Sequence, residues 1–317
     1  MTLLHTMVCR GALPLLAAIL LFLPDVTSAQ GDGPRSQLLL PVGENFLVPT
    51  YLNLSGNYNF AESILVQDAD ITSDVFVLTY MRAFSLAGHY AQIWINPIFG
   101  SVDGTGSVNN PSTEDPISFE SDVSGLGDLL VNFKVGLIGT PALKLPDFAI
   151  QPQTFQLSAF GSISAPIGDY DSDRPLNLGT NVWVFRVGVP MVLPFKLLGK
   201  PAFFEFFPSA AFYTNNDDPT LGADLREQDL LFMIESHLTY NFTPKLWGGL
   251  DMRYRYGGET TTDGVSDDNI QDVLGGGVSI GYSFSPAISL QGTYGMVLSE
   301  KDGSELDMIR LKLAYMF

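Results

Sequence analysis

The sequence predicts an all-β protein, a transmembrane antiparallel β-barrel of about 12 strands, with 45–317 as its one barrel domain. Three observations lead there. The chain is 46% hydrophobic but only 16% charged, against about 25% charged in ordinary soluble domains, and past its first residues no stretch is apolar for long enough to span as a helix. Short runs alternating apolar and polar residues recur to the last residue. Acidic residues gather in every second connection between those runs. A membrane-crossing chain without spanning helices has to close its sheet, since an open edge would leave backbone groups unpaired in hydrocarbon.

Residues 1–29 read as a signal peptide. Arg10 supplies the positive start, Gly11 to Leu23 the apolar stretch, and Thr27-Ser28-Ala29 the small-residue cleavage site before Gln30. The single cysteine, Cys9, falls inside this segment, so the exported part has no disulfide, thiol nucleophile or Cys-ligated metal site. Residues 30–44 read as a flexible N-terminal lead, with a plug inside the lumen as the alternative.

Strand-like runs follow at 45–60, 73–84, 88–98, 126–138, 153–166, 178–189, 202–213, 229–241, 245–256, 272–284, 286–297 and 307–317. The clearest puts Leu230, Phe232, Ile234, Leu238 and Tyr240 on one face and Glu235, His237 and Thr239 on the other. In the next run Leu250, Met252, Tyr254 and Tyr256 alternate with Asp251, Arg253 and Arg255. The last sets Ile309, Leu311, Leu313, Tyr315 and Phe317 against Arg310 and Lys312. Charges between large apolar neighbours are what a strand with lipid on one side and water on the other requires. An even strand count puts both chain ends on one side, the periplasmic side in bacterial barrels. The terminal Phe317 reads as the insertion signal for barrel-assembly machinery.

The connections support that order. Asn241-Phe242-Thr243-Pro244 and Ser285-Pro286 are tight turns. The alternate links, 61–73, 99–124, 168–177, 214–229, 257–272 and 298–307, hold most of the 34 Asp and Glu residues, and their only basic residues are Arg174, Arg226 and Lys301. Links 139–152 and 190–201, on the other side, are Pro-rich and carry Lys144, Lys196 and Lys200. The acidic rim would meet lipopolysaccharide, with divalent ions bridging to its phosphates. A net charge of −18 opposes nucleic acid and anionic lipid surfaces as partners.

By parity the lumen-lining candidates are Arg82, Lys134, Arg186, Arg253, Arg255, Arg310 and Lys312, with Glu205, Glu235, Asp251 and His237. A lysine or arginine facing lipid at mid-depth costs about 2–4 kcal/mol, so a barrel forces these side chains inward. There they form a charged solute pathway or a salt-bridge network stiffening the wall. Trp183, Tyr254, Tyr256, Tyr282, Tyr315 and Phe317 fit interface girdles, whereas Trp94 and Trp247 have inward parity.

Catalytic and cofactor chemistry finds little footing. Beyond the signal only His89 and His237 remain, and Ser236 points away from its neighbour His237 in a strand. Asp169-Tyr170-Asp171-Ser172-Asp173 starts like a calcium loop, but Arg174 stands where glycine is needed and Thr180 where glutamate is. Gly125-Leu126-Gly127 and Gly275-Gly276-Gly277 precede no helix, so neither is a phosphate cradle; glycine there relieves crowding or bends a strand. No enzyme activity, metal or cofactor is expected.

Several stretches carry a family likeness: Ser124-Gly125-Leu126-Gly127-Asp128; Ala165-Pro166-Ile167-Gly168-Asp169-Tyr170-Asp171; Asn177-Leu178-Gly179-Thr180-Asn181-Val182-Trp183; Gln228-Asp229; His237-Leu238-Thr239-Tyr240-Asn241; Leu246-Trp247; and Gly257-Gly258-Glu259-Thr260. On these the chain, from about 120 to 317, resembles bacterial outer-membrane transporters of the meta-pathway of phenol degradation. The resemblance implies a Gram-negative outer-membrane location and passage of aromatic or other hydrophobic small molecules. It carries over no binding residue.

The expectation is therefore a porin-like outer-membrane channel for passive or facilitated passage of small solutes, in outer-membrane lipids, with a monomer feasible because a closed barrel has no edge. Two readings compete: a structural or adhesion barrel without transport, and an outer-membrane hydrolase, which needs a Ser-His or Asp-His constellation at one rim.

Overall fold

A computed structural model describes residues 32–59, 64–65, 69–109, 116–301 and 306–317; the signal segment 1–29 lies outside them. The protein is a closed 12-strand antiparallel barrel. Its strands are β1 (Asn45–Gly56), β2 (Asp70–Leu86), β3 (His89–Asn96 continued by Ile98–Asn109) and β4 (Pro116–Leu126 continued by Leu129–Ile138). Then come β5 (Gln156–Ala165), β6 (Val184–Gly188 continued by Met191–Leu197), β7 (Lys200–Tyr213) and β8 (Leu231–Asn241). The last four are β9 (Leu246–Gly257), β10 (Gln271–Ser283), β11 (Ile288–Ser299) and β12 (Leu306–Met316). Each strand pairs with its sequence neighbours, and β1 closes the ring on β12. At the seam the Asn45 N–H donates to the Phe317 carbonyl and the Phe317 N–H to the Asn45 carbonyl, both 2.9 Å. Among the described residues no helix is long and apolar enough to cross a membrane.

Alternation sorts the wall as the hydrophobic pattern requires. Phe204, Phe232, Leu250, Ile280, Leu290 and Leu311 point outward and are exposed, while their chain neighbours Glu205, Met233, Asp251 and Ser279 are buried inside. At the rim with short turns, three aromatic pairs two residues apart form an outer girdle: Tyr240–Phe242, Tyr282–Phe284 and Tyr315–Phe317, with ring centroids 5.1–5.6 Å apart. Stacked Trp183 and Phe185 mark the opposite rim.

Four connections differ from the sequence reading. The link expected over 99–124 is mostly strand, because the outer segments of β3 and β4 run on in register from Phe99–Leu126 to Asn109–Pro116. Glycine and serine there obscured the alternation. The link expected over 190–201 is the second half of β6, and the sixth strand begins at Val184 rather than 178. Pro190 and Pro194 hid it. Past Val192 this strand pairs on one side only, the setting in which a sheet tolerates proline. Residues 139–152 contain a short helix, α1 (Leu145–Ile150). Lastly, the link 166–183 turns inward. Leu176 and Leu178 are buried against Ile71 and Val102 on the inner faces of β2 and β3.

That inward turn is built by the glycine-rich motifs. Asp128 accepts from the N–H groups of Gly168 (2.9 Å) and Thr180 (3.0 Å) and from the Thr180 hydroxyl. Asp169 accepts from the Leu126 N–H. A Cβ on Gly168 would lie 2.7 Å from the Gly127 backbone, so glycine is required for the two segments to meet.

Candidate functional site

The lumen is the candidate site, and the chain's own lead runs through it. From the seam the lead turns back into the barrel. The Gly43 N–H donates to the Ala83 carbonyl and the Val42 N–H to the Leu143 carbonyl. Leu39 and Val42 pack on Ala83 and Tyr90, and the Leu40 N–H donates to the Tyr90 hydroxyl at 3.1 Å. The sequence leaves 30–44 as a flexible lead or a plug. From Asp32 onward it is hydrogen-bonded to the wall at mid-lumen.

Two carboxylates take hold of the lead's backbone. Glu205 accepts from the N–H groups of Arg35 (2.6 Å) and Gln37 (3.1 Å), and Glu235 from that of Asp32 (2.8 Å). Both are nearly inaccessible, at 0% and 1% exposure. A buried carboxylate needs such donors to offset its desolvation. Three cations also bind the lead. Lys134, also 0% exposed, donates to the Gln37 carbonyl, and Lys312 to the Asp32 carbonyl and the Ser36 hydroxyl. Arg186 spans Glu235 at 3.0 Å and Asp32 at 3.3 Å, while its Nε donates to Ser209. Its guanidinium stacks over Phe207 and Phe160. Arg35 reaches down to Thr239 and Asn241 and lies 4.3 Å over the Trp247 ring.

The close fit fixes local sequence. A Cβ on Gly33, whose φ is +82°, would stand 2.0 Å from the Arg310 guanidinium; only glycine lets the lead pass there.

The remaining candidates fall as follows. Asp251, Arg255 and Arg310 are buried inside the barrel, and Arg253 lines the cavity beside the lead. His237 is held by Asp251 at 2.7 Å and lies 3.8 Å from Glu235. Ser279 donates to Asp251, not to the imidazole, which ties this Asp–His pair into the hydrogen-bond network of the wall. Arg82 is a correction. It has outward parity with Leu78 and Tyr80, is exposed, and donates to Asn45 at the short-turn rim. So close to the rim an outward arginine reaches interfacial water along its stem and avoids the mid-depth cost. His89 is exposed at the same rim. Phe317 is exposed at the seam, stacked on Tyr315.

Sequence reasoning missed Asp32, Arg35 and Gln37, and Phe160 and Phe207, which complete an inner aromatic shelf with Trp94. Glycine on both sides of Asp32 and the DGPR composition mask any strand or helix period. The parity of Trp94 and Trp247 was the one readable signal, and both line the cavity.

The cavity holds ≈ 580 Å³, within the size range of small-molecule sites. Apolar Leu130, Val184, Tyr213, Leu231 and Met233 line it together with Arg186, Arg253 and Arg310. Basic side chains outnumber acidic ones around it, inside a protein whose net charge is −18.

A family model described as "Putative MetA-pathway of phenol degradation" matches residues 55–313. Among solved structures, an outer membrane channel from Pseudomonas putida F1 is similar at 24% identity and a TM-score of 0.72, over 90% of this chain and 99% of that one. Looser likenesses, which add nothing to the argument, include the autotransporter NalP translocator domain from Neisseria meningitidis (9% identity, TM-score 0.49, 86% and 88% covered). Another is the KdgM porin in complex with oligogalacturonate (8%, TM-score 0.41, 85% and 99%). The comparison with curated proteins gave no match.

Proposed function

The chain belongs to the family described as "Putative MetA-pathway of phenol degradation", and from that premise we propose that it is an outer-membrane channel for small solutes, aromatic or hydrophobic ones among them. In its resting form the lead closes the channel. The observation that carries this reading is the lumen itself, a charged and partly apolar cavity of ≈ 580 Å³ inside a wall whose outer face is apolar. A barrel serving only as a structural post has no use for such a space. The acidic long-loop rim lies outside the cell, and the seam, the girdle and the entry of the lead lie on the periplasmic side. Residues 1–29 are removed on export, and Phe317 is read by the assembly machinery.

Flux through the reconstituted mature protein tests this. Liposome swelling and planar-bilayer conductance are measured for the mature chain and for a chain lacking residues 30–38. The full chain is expected to give small, intermittent conductance and the shortened one a conductance several-fold larger. If neither chain passes ions or any solute, the channel reading fails. If both conduct alike, the lead is no plug.

A further inference from the structure

The wall carries a row of side chains that the channel reading leaves unused. Cross-strand register sets Trp94 beside Asn132, Asn132 beside Ser162, and Ser162 beside Arg186. Neighbouring strands stand about 4.8 Å apart, so the row spans about 14 Å of inner wall. All four residues line the cavity. Asn132 is buried, and among the described residues its Nδ2 has no hydrogen-bond partner. A buried donor left unpaired is destabilising, and a bound acceptor removes that cost. The Trp94 ring abuts Phe160, on which the Arg186 guanidinium also rests.

Arg186 holds two carboxylates of different standing. Glu235 belongs to the wall. Asp32 belongs to the lead, which joins no strand ladder. One of the two anions on this guanidinium is therefore supplied by a removable segment.

We propose that the row binds a small aromatic monocarboxylate, with its ring on Trp94 and its carboxylate on Asn132, Ser162 and Arg186, in the position Asp32 now takes. This deepens the channel reading and rests on it. Exchange of Asp32 for a solute carboxylate is one charge for one, so the wall's ion pairing with Glu235 survives it. A neutral phenol or alcohol makes no such exchange, because it leaves Arg186 short of an anion. An aromatic ammonium is repelled by the surplus of basic side chains around the cavity. Aromatic acids, rather than uncharged aromatics, are then the preferred class, and their binding opposes the latching of the lead.

Isothermal titration of the detergent-solubilised mature chain with benzoate, benzyl alcohol and benzylammonium tests the proposal, with conductance in plain KCl recorded on the same preparations. Benzoate is expected to bind at least about tenfold tighter than either isostere, the step given by one charge-assisted hydrogen bond. Asp32→Asn removes the internal competitor and should tighten benzoate several-fold. Arg186→Gln should abolish the preference. Equal binding of benzoate and benzyl alcohol overturns the proposal, as does weaker benzoate binding by Asp32→Asn. If Arg186→Gln does not fold, judged by heat-modified electrophoretic mobility, the wild-type series and Asp32→Asn decide between these outcomes. Conductance without benzoate preference sinks the acid site alone. Absence of conductance, in the chain lacking residues 30–38 as well, sinks the channel reading.

Discussion

The inner faces of β2 to β4 and of β8 to β12 are lined differently, although their outer faces are alike. In β8 to β12 the inward positions include the charged Glu235, His237, Asp251, Arg255, Arg310 and Lys312, set among Met233, Val273, Val297 and Met308. In β2 to β4 they include Ile71, Val75, Ala83, Tyr90, Val102 and Val123. The cause is what each face meets. The lead and the inward link 166–183 bring Leu39, Val42, Leu176 and Leu178 against β2 and β3, so those faces are a hydrophobic core. The later strands meet the polar end of the lead and the open cavity. A barrel interior is therefore apolar where the chain fills it and ionic where it stays wet or holds charge.

Five substitutions, in four experiments, break or sharpen that contrast. The largest effect is expected from Glu235→Ala, on the ionic side. It removes the fixed partner of Arg186 and the acceptor for the Asp32 N–H, and stripping one member of a buried pair costs about 3–5 kcal/mol. Urea unfolding in lipid vesicles should show the loss, together with higher resting conductance as the lead loosens. Next, the exchange of Leu311→Lys against Lys312→Leu separates outside from inside on one strand. The outward lysine should cost about 2–4 kcal/mol of folding free energy in vesicles, and the inward leucine less. Equal costs would break the assignment of faces. On the apolar side, Leu176→Ala should cost about 2–3 kcal/mol as a cavity in a packed cluster. Proteolysis of the link 166–183 reads it, and an unchanged cleavage rate would mean that the inward turn rests on Asp128 alone. The smallest effect belongs to Tyr90→Phe, which deletes the hydrogen bond its hydroxyl accepts from the Leu40 N–H of the lead and the one it donates to Gln92, about 1 kcal/mol each. Hydrogen exchange at Leu40 is the measurement, with protection expected to fall several-fold while the barrel's is unchanged.

The same contrast explains what could be read from the chain alone. In β8 to β12, charged residues alternate with Leu, Ile and Tyr, so a period of two is visible, with Glu235, His237, Asp251, Arg253, Arg255, Arg310 and Lys312 all on the inward parity. In β2 the inner face at Ile71, Val75 and Ala83 is as apolar as the outer one, and the period is faint. That is why Arg82, among hydrophobic neighbours, reads as inward from the sequence although it sits outside at a rim. The outer halves of β3 and β4, rich in Gly and Ser, passed for a loop. The lead was unreadable by any period, since Asp32, Arg35 and Gln37 are positioned by Glu205 and Glu235 across more than 160 residues of chain, a relation only the closed barrel creates.

The seam gives the lead an unusual mechanical position. Asn45 and Phe317 clasp one another through both backbone groups, and the segment upstream of Asn45 adds no rung to the ladder. It is held in the bore by side-chain latches and a few backbone contacts, while the cylinder around it is closed by its own strand pairing.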